Sequence, residues 1–387
     1  MRLLFISDFS EQFPYRLLRG IMEYSRNSGE PWMVCKMPPS YKRQIGFKGL
    51  VEWALKWKAD VVIGQFDPDD DVSLFKTHGI VAIAQDYISM FNNIPNITAD
   101  YKRTGEMAAE RLCGHGFKKF GFFGYKGVCW SDGRLDGFRD RLEKEFGHEE
   151  IHVFNHRQIT NLWSYDLPKL RDWLLGLPKP IGIFCCDDNQ AQILMEACQS
   201  AGITVPMEVA IIGVDNDEVT CNLTSPELSS IDMDIERGGY EVAEMACRMV
   251  TDSNYTGEDV VIRPVAVVGR GSTGIMATKD PVVSAALRYI YQNRAKKMLV
   301  SDVVKQVPMS RRLLEQRFKE ATGTSIYTVI KNLRMDYFAQ QLLSSSETIS
   351  QIAARMDEPD TKSISRLFLA IKGCTPSEYR KKGLRKL

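Results

Sequence analysis

Arg311, Arg312 and Gln316 lie within six residues of one another in the run PMSRRLLEQRFKEATG, residues 308–323. A guanidinium is a planar, permanently charged fork that pairs with guanine or phosphate, and a glutamine amide can pair bidentately with adenine. The neighbouring residues put these groups on the exposed start of a helix. Ser310 is a suitable N-cap, Leu314 and Phe318 at i and i+4 point to a core, and Gly323 closes the helix. Arg317 is left on the polar side with them. The arrangement returns fifty residues later in DTKSISRLFLAIKGCT, residues 360–375: Leu314, Phe318, Gly323 and Ser325 map onto Ile364, Phe368, Gly373 and Thr375. There the start of the helix offers Thr361, Lys362, Ser363 and Arg366.

A shorter helix is expected before each reader. Ser301 with Asp302 would open the first, which Pro308 stops, and TISQIAARMD (348–357) supplies the second. Two short helices, a tight turn and basic or amide groups at the start of the second helix follow the logic of the helix-turn-helix. Between the units runs SIYTVIKNLRMDYFAQQLL, residues 325–343, without Gly or Pro. As a helix it is a rod of ~28 Å at 1.5 Å per residue, against roughly 34 Å for one turn of DNA. Two readers on such a rod reach successive major grooves of double-stranded DNA.

Charge supports this division. Residues 281–387 hold 20 Lys/Arg and 9 Asp/Glu, whereas 1–280 hold 30 and 40, so a module of net +11 is attached to a body of −10. Four of the basic residues are in the terminal KKGLRKL, so the excess survives its removal. A polyanionic partner is expected for the module alone.

The body carries a different chemistry. Apolar runs at 2–7, 32–37, 60–66, 80–85, 120–125, 151–155, 181–186 and 209–215 alternate with amphipathic stretches, and VVIRPVAVVGRGST (260–273) is the last strand-like segment. This alternation reads as βαβ units in parallel sheets, and the number of strands favours two lobes. Ligands of such sheets bind beyond the carboxyl ends of the strands. Those ends carry Asp8, Asp86, Asp100, Asp187 with Asp188, and Asp215. Carboxylates accept hydroxyl hydrogen bonds and so suit a polyol or sugar. Each could equally cap a helix, and Asp188, before NQAQILMEA, is expected to do so.

Catalysis finds little support. The histidines (His78, His115, His148, His152, His156) show no metal-ligand spacing, and there is no GxSxG, P-loop or GxGxxG. No enzyme, cofactor or metal is expected. Nine cysteines without a CxxC suggest free thiols in a reducing cytoplasm. The start, MRLLFISDFSEQFPYR, does not read as a signal peptide, and no apolar run approaches membrane-spanning length, so no membrane partner is expected. The change of texture near GIMATKDP divides the chain into 1–274 and 281–387.

The stretch ISQIAARMDEPDTKSISRLFLAIKGCTPSEYR resembles the AraC/XylS-type DNA-binding domain, over about 290–382. Pro308 and Asp357 stand where that family usually has the turn glycine. Asp tolerates a left-handed conformation, whereas Pro308 must change the first turn. IFCCDDNQAQILMEACQSAGITVPMEVAIIGVDNDE, with SPELSSIDMDIERGGYEVAEM, resembles the LacI-type, periplasmic-binding-protein-like effector domain, over roughly 1–273. That resemblance implies sugar contacts for Asp215 and Arg134, and matches Asp100 to an Asp near the same cleft, taken here as a further candidate for the ligand site. It places Asp187 where the family has Asn, which keeps an acceptor and loses the amide donors. The LacI family's N-terminal DNA-binding helices are missing. The fusion is similar throughout to the bacterial xylose-responsive regulators, including Trp130 before Arg134. The fold class so implied is α/β, a two-lobed periplasmic-binding-protein-like (type I) sensor, followed by an all-α double helix-turn-helix domain. D-xylose, or another aldose, is implied as effector, a purine or other small ligand being the alternative. A homodimer, RNA polymerase as a further partner, and activation rather than repression of sugar-catabolic genes are also expected.

Overall fold

The computed structural model describes residues 1–9, 11–29, 31–86, 88–147, 151–156, 167–274, 278, 280–345, 347–358 and 360–384. His148, residues 275–277 and 279 of the junction, and Arg385 and Lys386 of the basic tail lie outside the described residues.

The strands are β1 (Arg2–Ile6), β2 (Met33–Met37), β3 (Val61–Gly64), β4 (Val81–Gln85), β5 (Asn96–Ala99), β6 (Phe120–Tyr125), β7 (Ile151–His156), β8 (Ile181–Cys185), β9 (Val209–Val214), β10 (Ser229–Met233), β11 (Val260–Ile262) and β12 (Pro264–Val268). They form two six-stranded sheets, in the orders β11-β5-β4-β3-β1-β2 and β12-β10-β9-β8-β6-β7. The eight runs read from the sequence all form strands, in two lobes. The central strands are apolar and buried on both faces, as covered parallel sheets require.

Two expectations are corrected. The segment 260–273 is not one strand: its first part completes the first sheet and its second part the second sheet. The second sheet is also not all parallel, because β12 runs antiparallel to β10. The reason is the path of the chain. The carboxyl ends of the strands in both lobes face the cleft, and a chain leaving one sheet there enters the other from its carboxyl edge, against the direction of its neighbours. Strands β5 and β10, short and partly polar in sequence, were not foreseen.

The chain crosses between lobes after β5, β10 and β11. The crossings are tied together: the Asp100 N–H donates to the Ile262 carbonyl at 2.9 Å, and the Asp234 N–H donates to the Arg263 carbonyl at 2.9 Å. In the second lobe, helices Tyr101–Gly114 and Cys129–Phe146 cross at glycines. A Cβ on Gly105 would lie 2.1 Å from the Arg134 carbonyl oxygen, and one on Gly137 would lie 1.9 Å from that of Lys102. Only glycine permits this approach, which sets the Arg134 guanidinium 5.6 Å from the Tyr101 ring at the cleft.

From Pro281 the described chain is helical: Pro281–Gln292, Val300–Val304, Arg311–Thr322, Ile326–Ser344, Ile349–Arg355, Thr361–Lys372 and Pro376–Leu384. The first short helix starts at Val300, one residue before the expected Ser301, and the Asp302 carboxylate accepts from the Leu299 N–H at 3.0 Å. The long helix Ile326–Ser344 serves two cores. Ile330 and Leu333 pack with Leu314, Phe318 and Val303, while Phe338 and Leu342 pack with Ile352, Ile364 and Phe368. All nine cysteines are free. No helix among the described residues is long and apolar enough to cross a membrane.

Candidate functional site

The cleft is built where strands end. β9 ends at Val214, and Asp215 and Asn216 then take positive φ, 96° and 49°. This left-handed pair turns the Asp215 carboxylate toward Arg134, whose Nη2 lies 3.5 Å away. Arg134 is buried, with 5% of its surface exposed, and its Nη1 donates to the Cys186 carbonyl. Its guanidinium lies 5.4 Å from the Trp130 ring, and its Nε is buried without a hydrogen-bond partner. A buried donor left unsatisfied is costly, so a cation held between two aromatic faces with one donor unused is a feature of a binding site.

Asp187 follows β8 and caps helix Asp188–Ser200, accepting from the Gln190 N–H at 2.7 Å. The expected cap, Asp188, is therefore displaced by one residue, because Asp187 has the extended backbone of an N-cap while Asp188 is already helical. Asp188 instead points inward, accepting from the Asp217 N–H at 2.8 Å and from the Cys221 thiol. Burial, with the charge of Asp215 adding to it, raises the Asp187 carboxyl to about 6, although the Gln190 N–H works the other way. Asp215 is also raised by burial, opposed by Arg134 and Arg16.

The first lobe contributes carboxyls as well. Asp86, after β4, is buried and accepts from the Tyr101 hydroxyl at 2.8 and 2.7 Å. Burial raises its carboxyl, while hydrogen bonds from Thr98 and Tyr101 oppose that. Asp8, after β1, stands close enough to Glu11 to help hold it protonated. Glu11 is raised to about 8, first by burial and then by Asp187, Asp215, Asp8 and Asp217. Carboxyls of both lobes thus face one another across the cleft. Asp100 stands apart as the cap of helix Tyr101–Gly114, accepting from the Arg103 N–H at 3.0 Å. The structure therefore brings together Asp86, Trp130, Arg134, Asp187 and Asp215, with Asp8 at the edge, and leaves Asp100 in the hinge.

Three residues of the cleft escaped the sequence reading. Tyr101 and Glu11 follow strand ends and could have been found by extending that rule past aspartate. Arg16 gives no local signal. It lies one turn into helix Gln12–Ser28 and pairs with Glu236 at 2.7 Å and Asp232 at 3.2 Å. It also donates to the Asp215 carbonyl at 2.8 Å.

At the other end of the chain, Ser310 caps helix Arg311–Thr322 and Asp360 caps helix Thr361–Lys372. Both helices end at a glycine with φ 71°, Gly323 and Gly373. Arg311, Arg312 and Gln316 are exposed on the first, and Lys362, Ser363 and Arg366 on the second, with Thr361 half-buried. Arg311 pairs with Glu315 at 2.9 Å and Gln316 donates to Glu320 at 2.9 Å. Arg317 leaves this face, because its guanidinium pairs with Asp280 at 2.7 Å. Asp357 takes φ 55°, whereas no described residue from 305 to 310 has positive φ, so Pro308 imposes a different turn in the first unit. The described residues contain no group of three or more His, Cys, Asp or Glu able to hold a metal.

The two regions match separate domain profiles. A periplasmic binding protein-like domain profile matches residues 109–273, and a helix-turn-helix domain profile matches residues 303–382. The xylose operon regulatory protein of Escherichia coli strain K12 is 26% identical over 390 residues, covering 98% of this chain and 96% of that one. The corresponding protein of Haemophilus influenzae is 28% identical over 329 residues, 83% of this chain and 84% of its own. A solved structure of the xylose-binding transcription activator xylR superposes with a TM-score of 0.72 at 25% identity, covering 98% of this chain and 97% of that one. Fold, cleft and paired readers define a DNA-binding transcription regulator with a sugar-binding-type sensor domain, not an enzyme. Within that class the chain is similar along nearly its whole length to regulators of the XylR type, with the sensor first and the helix-turn-helix domain after it.

Proposed function

We propose that the effector is D-xylose and that the chain, as a cytoplasmic homodimer, activates sugar-catabolic genes. In this reading residues 1–274 sense the sugar and 281–387 bind DNA and meet RNA polymerase. The observation that carries it is the pairing of Arg134 and Asp215 beside Trp130 and Asp187. Sugar hydroxyls would donate to the Asp187 and Asp215 carboxylates and accept from the unused Arg134 Nε, with the ring against Trp130. Asp8 and Asp86 would close the site from the first lobe, and Asp100 would act only through the hinge. On DNA, Arg311, Arg312 and Gln316 would enter one major groove and Thr361, Lys362, Ser363 and Arg366 the next, with Ser310 at the first helix start. Arg317 would keep its pair with Asp280.

Calorimetric titration of the full chain with D-xylose, L-arabinose, D-ribose and D-glucose tests this. Saturable binding of D-xylose that is lost in Asp215→Ala is expected. The same titration should weaken as pH falls through about 6, because Asp187 then gains a proton and loses acceptor capacity. Binding of another sugar alone would replace the effector, and binding of none would overturn the sugar reading.

A further inference from the structure

The left-handed pair Asp215–Asn216 is held from the first lobe by Arg16, which donates to the Asp215 carbonyl, and from the second lobe by its own neighbours. The Asp215 N–H donates to the Ile231 carbonyl at 2.9 Å, and the Asn216 N–H donates to the Ser230 hydroxyl at 3.0 Å. The Asn216 side-chain oxygen accepts from Arg270 Nη2 at 2.7 Å. Arg270 Nη1 donates to the Leu228 carbonyl at 2.9 Å, so one guanidinium bridges the loop that carries Asp215 and the residue just before β10.

The backbone of Arg270 leads elsewhere. Its N–H donates to the Ser229 hydroxyl at 2.8 Å, and residues Gly271–Thr273 form a single 3-10 turn. That turn is bound to the sheet: the Ser272 hydroxyl donates to the Ile211 carbonyl at 2.6 Å, and the Ser272 N–H donates to the Glu227 carbonyl at 2.9 Å. On its outer side it meets the DNA-binding domain. A Cβ on Gly271 would lie 2.4 Å from the Tyr291 hydroxyl. The Arg294 guanidinium lies 4.0 Å from the Tyr291 ring and 5.5 Å from the Tyr337 ring, and 3.9 Å from the Glu227 carboxylate. Tyr337 belongs to the rod that carries both readers.

The geometry points to Arg270 as the positioning residue that couples the cleft to the readers. Its side chain grips the loop after Asp215, and its backbone opens the turn against which Tyr291 packs, with Arg294 stacked on Tyr291. This rests on the reading that a sugar binds at Asp215. Coupling between sites requires an element with two arrangements that both sites bias. Non-glycine residues at positive φ are rare and are kept there by their surroundings. A ligand that takes over the Asp215 carboxylate alters those surroundings. The Asn216 amide then moves against Arg270, and the turn shifts under Tyr291.

Hydrogen exchange of the full chain, with and without saturating D-xylose, tests the link. In the wild type the sugar should slow exchange at 187–190 and 213–217 and also change it at 281–294. Arg270→Met keeps the stem and removes the donors, so the cleft response should remain and the response at 281–294 should be lost. Asn216→Gly removes the acceptor while tolerating the left-handed backbone, and should give the same split. If Arg270→Met loses its sugar-free protection throughout the sheet, the glycine variant decides. A response at 281–294 that survives in the folded variants would overturn the proposal. So would a wild type whose cleft responds while 281–294 does not, or a change at 281–294 that is equal with and without sugar, which marks a purely structural role. A cleft that is silent to D-xylose in the wild type would instead remove the sugar reading, and this proposal with it.

Discussion

The two helix-turn-helix units share their spacing but not their anchorage. The first is built on Leu314 and Phe318 within a core that also takes in Val283, Ile290 and the partly buried Met207 of the sensor. Its reader is further tied to the start of the domain by Arg317 and Asp280. The second, on Ile364 and Phe368, is anchored to the rod: buried Arg334 donates to the Met356 carbonyl at 2.9 Å, and Arg380 donates to the Leu342 carbonyl at 2.9 Å. One unit is thus fastened to the sensing body and the other is carried at the far end of a helix. A change at the sensor reaches the first reader through direct packing and the second through the rod and the Lys297–Glu358 pair.

The strongest way to break this contrast is to empty each core. Phe318 and Phe368 are both fully buried, and Phe→Ala in such a site costs about 3–5 kcal/mol. Phe368→Ala should abolish exchange protection in 349–372 and spare 311–322, and Phe318→Ala should do the reverse. Loss of both units in either variant would show that the cores are one. Next come the readers, measured by anisotropy on a duplex that the wild-type chain selects from random sequence. Arg312→Ala and Arg366→Ala should each weaken binding by about 1–3 kcal/mol if the side chains touch bases. Arg317→Ala should weaken it less, since its charge is already paired.

A smaller effect separates the anchorages. Asp280 caps helix Pro281–Gln292, accepting from the Val282 N–H at 2.9 Å, besides holding Arg317. Asp280→Ala should cost about 1 kcal/mol, read as faster exchange in the first unit with the second unchanged. The smallest effect is in the turns. Asp357→Gly should stabilise the second unit by about 0.5–1 kcal/mol, because glycine adopts φ 55° without a Cβ penalty. Pro308→Gly should give no such gain, since the first turn uses no positive φ. Thermal melts of the two variants check the pair.

Much of this was legible in local pattern. Ser310, Gly323, Asp360 and Gly373 act within one helical turn of themselves, so their caps could be read from order alone. Leu314 with Phe318, and Ile364 with Phe368, gave the buried faces by spacing. The apolar strand runs were equally plain, because a strand covered on both faces admits few polar residues. The cleft was only half legible. Aspartates at strand ends could be named, but whether each caps a helix or faces a ligand depends on one residue of phase, and this is where Asp188 was misassigned. Arg16 and Arg270 gave no signal, because their partners lie about 199–220 and 54 residues away.

Order along the chain by itself determined the two reader helices with their caps, the repeat of the readers and the division of charge, all of which depend on neighbours within a few residues. Tertiary structure decided which lobe each half of 260–273 joins, that Arg317 pairs with Asp280 and leaves the reading face, and that Arg270 stands between the cleft and the turn beneath Tyr291. Those outcomes depend on groups far apart in the chain. They become neighbours only when the hinge crossings and the glycine-mediated helix contact have brought the elements together.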